Sequence, residues 1–195
     1  MKKYLVLFTI LFVLVLSACG KTDNNDEKPN EADKTEADST NSSETDGSEQ
    51  GLKLQVLKGD EEAGATIENH SLYQELDNII KENPSIGEVD DFSVYVVNTI
   101  HDDQGNSKLV LLGVNRLPAS IKNIEFNYTL GNKDNEFVWE KQQVKLNEKE
   151  AGILEVNSAV PIVLPITEAQ EALLKTLDQE NQVMLVEDFT FEEVK

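Results

Sequence analysis

The chain has 195 residues, 37 of them acidic and 17 basic, for a formal net charge of −20. An acid excess of this size repels nucleic-acid phosphates and anionic headgroups, which excludes nucleic acid as a partner. With one cysteine no intramolecular disulfide can form, so a folded part must rest on an ordinary apolar core.

The chain opens on Met1-Lys2-Lys3, a short positive start, and runs apolar over residues 4–18, broken only by Thr9, Ser17 and Ala18. As a helix this run measures roughly 22 Å at about 1.5 Å per residue. A permanent membrane span needs nearer ~20 apolar residues. A charged start, a short apolar run and small closing residues define an export signal. The closing Leu16-Ser17-Ala18-Cys19, followed by Gly20, resembles the lipobox of bacterial lipoproteins. The resemblance implies cleavage after residue 18 and a diacylglycerol on the Cys19 sulfur. It also implies a lipid-anchored position on the outer face of the bacterial cytoplasmic membrane. Two acyl chains suit that role, since one alone binds a bilayer only marginally.

Residues 20–50 contain no Val, Ile, Leu, Met or aromatic residue and carry ten acids against three lysines, a net charge of −7. With almost nothing apolar to bury, the ordering entropy cannot be offset, and the segment is expected to be a disordered acidic tether. The organisation read from the sequence is therefore a signal over 1–18, a lipidated Cys19 with its linker over 19–50, and a globular domain over 51–195.

Leu52, Leu54 and Val56 alternate with Lys53 and Gln55, a strand pattern. Gly59 to Gly64 is acidic and bounded by glycine, and is expected to be a loop. Ser71 and Gln74 have capping-box spacing, and Leu72, Tyr73, Leu76, Ile79 and Ile80 share one helical face. Asn83-Pro84 stops that helix, predicted over 72–82. Two strands, about 91–100 and 107–116, flank the turn-rich His101 to Ser107 and predict a hairpin. Leu109 to Val114 is apolar on both faces, as a central strand requires. Ile124, Phe126, Tyr128 and Leu130 alternate with polar residues, and Phe137 to Val144 is expected to return beside them. Gly152 to Val156 and Val160 to Ile166 are further strand candidates. Pro161 and Pro165 mark the second as an edge strand. Thr167 and Gln170 form another capping-box pattern ahead of a short helix, and strands at Gln182 to Val186 and Phe189 to Phe191 close the chain.

This succession predicts a mainly β fold, a β-sandwich whose two short helices cap its ends. The alternative is an α+β fold with one antiparallel sheet. The pattern Phe92–Val96, Leu109–Asn115 and Ile121–Leu130, with Asn115 followed by Ile124-Glu125-Phe126, resembles the small immunoglobulin-like domains of Gram-positive lipoproteins. The Cys-Trp-Cys signature of antibody domains is absent, and Trp139 reads as a core or rim aromatic.

Chemistry is sparse. His70 and His101 are the two imidazoles, and no nucleophile motif accompanies either. Asp102, Asp103 and Asn106 are candidate cation ligands beside His101, but Asp-Gln-Gly-Asn is also what a hairpin turn needs for its own backbone. Glu61-Glu62 and Glu192-Glu193 are neighbouring acids whose default is solvated charge. No catalytic residue, phosphate loop or cofactor motif is identified. The leading expectation is a non-enzymatic binding or accessory module recognising an envelope protein or cell-wall component. A cation-binding lipoprotein is the alternative, and an envelope hydrolase using paired carboxylates is a further one.

Overall fold

A computed structural model describes residues 51–195. The expected signal, Cys19 and the expected acidic linker lie outside the described residues. The elements run β1 (Lys53–Leu54), α1 (Lys58–Glu62), α2 (Ser71–Glu82), β2 (Phe92–His101), β3 (Ser107–Asn115), β4 (Ile121–Asn132), β5 (Phe137–Leu146), α3 (Glu148–Ala151), β6 (Ser158–Pro165), α4 (Glu168–Leu174) and β7 (Gln182–Glu193). The strands form two sheets, β1-β6-β3-β2 and β5-β4-β7, packed as a β-sandwich. The single-sheet alternative is excluded. Two consecutive strands lie in one sheet, the next two in the other, and β6 and β7 return one to each. β1 is added in parallel beside β6.

β3 explains the layering. Its alternate residues Leu109 and Leu111 pack into the core between the sheets, with Phe126, Tyr128 and Leu130 of β4. Its other row, Val110, Leu112 and Val114, points the opposite way and is buried under Tyr73, Leu76 and Ile80 of α2. A strand that is apolar on both faces needs cover on both, and each such side chain stabilises by about 1.5–3 kcal/mol when fully buried. Hence α2 lies across the outer face of the first sheet and does not cap an end of the sandwich, as the sequence reading expected.

Three further expectations are corrected. Gly59 to Gly64 is not all loop: residues 58–62 form the single turn α1. The amide of its N-cap residue, Leu57, donates to the Tyr73 hydroxyl, which donates in turn to Asp60 at 2.6 Å. A tertiary contact thus holds a turn that local propensity does not. The predicted capping box at Ser71 is absent. The cap is His70, without a side-chain bond, and the Gln74 amide reaches the Glu68 carbonyl. At Thr167 both capping-box bonds are present. Gly152 to Val156 is not a strand; it makes one bridge, Leu154 with Ile121, and is preceded by the turn α3, whose Glu148 amide donates to Asn123.

The edge expected over Val160 to Ile166 pairs with β3 alone, while the two residues before it also meet β1. β3 pairs along β6 from Ser158 to Pro165, and β1 pairs with β6 at Ser158 and Ala159. Ala159 accepts from the Gln55 amide, so residues 159, 161, 163 and 165 turn their backbone groups to the β1 side. Pro161 and Pro165 have no N–H to offer there, and β1 pairing stops just before the first of them.

In the second sheet β4 is central. Its ladders are interrupted by bulges at which Asn123, Lys141 and Asp188 take positive φ. Asn115, fully buried at the end of β3, ties three segments together. Its side-chain amide donates to the carbonyls of Ala119, Leu154 and Glu155, and its oxygen accepts from Leu117 N–H.

Candidate functional site

The turn between β2 and β3 was the first candidate. Asp102 Oδ1 accepts from the backbone amides of Gln104 and Asn106 at 3.0 and 2.9 Å, and the Asn106 side-chain amide reaches both carboxylate oxygens at 3.2 Å. Lys108 approaches Oδ2 at 3.6 Å. The Asn106 amides, backbone first, hold the Asp102 carboxyl below its ordinary range. The structure therefore brings Asp102 and Asn106 together, but as donor and acceptor of one turn, while Asp103 is exposed. Among the described residues no three His, Cys, Asp or Glu side chains are placed to hold one metal ion.

A second polar cluster joins this hairpin to α4. Glu171 accepts from Ser107 Oγ, pairs with Lys175 at 2.8 Å, and lies 3.7 Å from His101 Nε2. Lys175 and then Ser107 hold the Glu171 carboxyl below its usual value. Ser, His and Glu meet here, but in an order unsuited to nucleophilic catalysis. The carboxylate sits between hydroxyl and imidazole, so the serine proton points at Glu171, whose basicity Lys175 lowers, and not at His101. The cluster fastens α4 to the β2–β3 hairpin.

The remaining candidates are dispersed. His70 is exposed and edge-on to Tyr73, with ring centres 5.3 Å apart. Glu61, Glu62, Glu192 and Glu193 are exposed, and Trp139 is buried in the core.

The concave site lies elsewhere, on the outer face of the second sheet. A groove of about 480 Å³ is lined by Thr129 of β4, Phe137 and Lys141 of β5, and Val183, Leu185 and Glu187 of β7, with Lys133 at its end. Register explains the assembly: Thr129 is opposite Leu185, and Gly131 is opposite both Val183 and Phe137. The Phe137 ring lies over Gly131, where a Cβ would come within 2.6 Å of it. The bulge residue Lys141, at φ 55°, donates its amide to the Thr129 hydroxyl and extends its ammonium to within 3.4 Å of Glu187. Lys133 is held by the Glu180 carbonyl at 2.6 Å. Leu185 is 49% exposed.

This lining joins an apolar strip to charges of both signs and includes no His, Cys or Ser. Such a surface can bind and orient a polypeptide or an amphipathic ligand. Sequence reasoning missed it because its walls come from three strands. The available signal was Val183-Met184-Leu185-Val186, apolar on both faces in a strand with only one neighbouring strand. No protein family, curated protein or solved structure matches this chain. No helix among the described residues is long and apolar enough to cross a membrane.

Proposed function

We propose that the chain is a lipoprotein anchored through Cys19 to the outer face of the bacterial cytoplasmic membrane, where its β-sandwich acts as a non-enzymatic binding or accessory module. The observation that carries the binding role is the groove on the second sheet. Its apolar strip of Phe137, Val183 and Leu185 is presented on a rigid sheet rather than buried. Support also comes from the two polar clusters, whose hydrogen bonds are taken up by the fold's own backbone and side chains. The anchor is supported by Leu16-Ser17-Ala18-Cys19 at the close of the apolar run. The partner is an envelope protein or cell-wall component.

The test is complementation of a deletion strain at equal protein level, with metabolic labelling by fatty acid. Cys19→Ala is expected to lose the label and the function. Leu185→Asp, an exposed position, is expected to lose function while keeping label and stability. The triple variant His101→Ala, Asp102→Ala, Asp103→Ala is expected to retain function. Full labelling of Cys19→Ala refutes the anchor. Failure of the folded triple variant alongside a functional Leu185→Asp refutes the groove and favours cation binding at the turn.

A further inference from the structure

Among the described residues the groove's β7 wall is also a sheet edge, and this edge differs from the others. β6 is protected by Pro161 and Pro165 on its open side. β5 carries Lys141 and Lys145, and α4 covers part of it, with the Gln170 amide donating to the Val138 carbonyl at 2.5 Å. β2 is broken by a bulge at Val97. Natural sheets protect edges by such means. β7 has no proline and no lysine, and its ladder runs unbroken from Gln182 to Glu187 before the bulge at Asp188.

The direction of its free groups follows from one bond. Lys133 N–H donates to the Asn181 carbonyl, so by alternation residues 183, 185 and 187 turn their backbone groups toward β4. Met184 and Val186 turn theirs outward. The side chains at this edge are apolar on both faces: Met184 is 38% exposed and Leu185 49%. A neighbouring strand would cover both at once.

We propose that the free edge of β7 from Gln182 to Glu187 receives an extended segment of a partner protein, in which basic residues alternate with apolar ones. The proposal deepens the binding-module reading and rests on it. Main-chain bonds to Met184 and Val186 provide the pairing, and alternate side chains lie beside Val183 and Leu185 in the groove. Charge selects the occupant. β7 holds Glu187 within this segment and Asp188, Glu192 and Glu193 beyond it, with no base, on a domain of net charge −15. A second copy paired antiparallel over the same six residues would bring Glu187 and Asp188 beside Glu180 of its partner strand, and like charges across strands repel. The chain's own residues 20–50, net −7 and without a large apolar side chain, are excluded for the same reason.

The probe is a capped peptide of alternating lysine and valine, about ten residues long to span a strand. It is added to the full-length chain and followed by hydrogen–deuterium exchange and fluorescence anisotropy. Exchange at Met184 and Val186 is expected to slow roughly tenfold at saturation. The same peptide with glutamate for lysine is expected not to bind. N-methylation of alternate amides on the pairing side is expected to weaken binding roughly tenfold or more, whatever the charge. Binding that leaves Met184 and Val186 unprotected, or that survives N-methylation, overturns strand addition, as does the absence of binding. Equal binding of the glutamate peptide overturns the choice of partner. Loss of complementation by Leu185→Asp together with any of these results leaves the groove as a binding surface and removes only the β7 edge.

Discussion

Replacing Asn115 by alanine tests the account of how the sandwich is held together. The side chain is fully buried and makes its bonds at 3.0, 3.2, 3.1 and 3.1 Å, three as donor and one as acceptor. Two amide hydrogens are shared among three carbonyls, so the loss amounts to about three hydrogen bonds. At about 1 kcal/mol net for each, Asn115→Ala should cost about 3 kcal/mol. For a domain of this size that is a fall in Tm of roughly 6–12 °C. Asn115→Asp should cost more at neutral pH, because it sets a buried carboxylate against three carbonyl oxygens. Burial raises that carboxyl's pKa, so its penalty should grow as pH rises above the ordinary Asp value of about 3.9. Urea unfolding of both variants across pH measures these differences, with the slope m checking that the unfolded state is unchanged. A loss under about 1 kcal/mol for alanine, or an aspartate variant as stable as the wild type at neutral pH, refutes the reasoning.

Tyr128 is buried in the core and its hydroxyl has no hydrogen-bond partner among the described residues, so burial pushes its pKa up. Tyr128→Phe should leave stability unchanged or raise it by up to about 1 kcal/mol; a clear loss in thermal unfolding would reveal a partner for the hydroxyl. Asp102 is held in its charged form by the Asn106 amides, which lowers its folded pKa. Its contribution to the hairpin should be fully present above the ordinary value of about 3.9 and lost as pH falls through the depressed one. The stability gap between wild type and Asp102→Ala should therefore close in acid, and a gap independent of pH would count against this.

Short-range features were legible in the sequence. The apolar alternation of Ile124 to Leu130 set a strand, the two-faced run Leu109 to Val114 set a central one, and Asp103 to Asn106 set the hairpin turn between β2 and β3. Thr167 and Gln170 formed their capping box. Each depends on residues a few positions apart, where side-chain period and backbone preference act directly. At Ser71 the same pattern failed, because Gln74 found the Glu68 carbonyl instead.

Only the tertiary structure decided which face each element covers. α2 belongs on the first sheet because Val110, Leu112 and Val114 emerge there together. α1 forms because Tyr73, thirteen residues beyond Asp60, bonds both Asp60 and Leu57. Pro161 and Pro165 could be read as ending a pairing, but not that β1 would pair beside them first. The groove likewise needed β4, β5 and β7 in register before Thr129, Phe137 and Leu185 could share a surface. Periodicity in one strand tells which side chains share a face. It carries no information on which distant strand lies alongside, because that depends on the packing of the whole core.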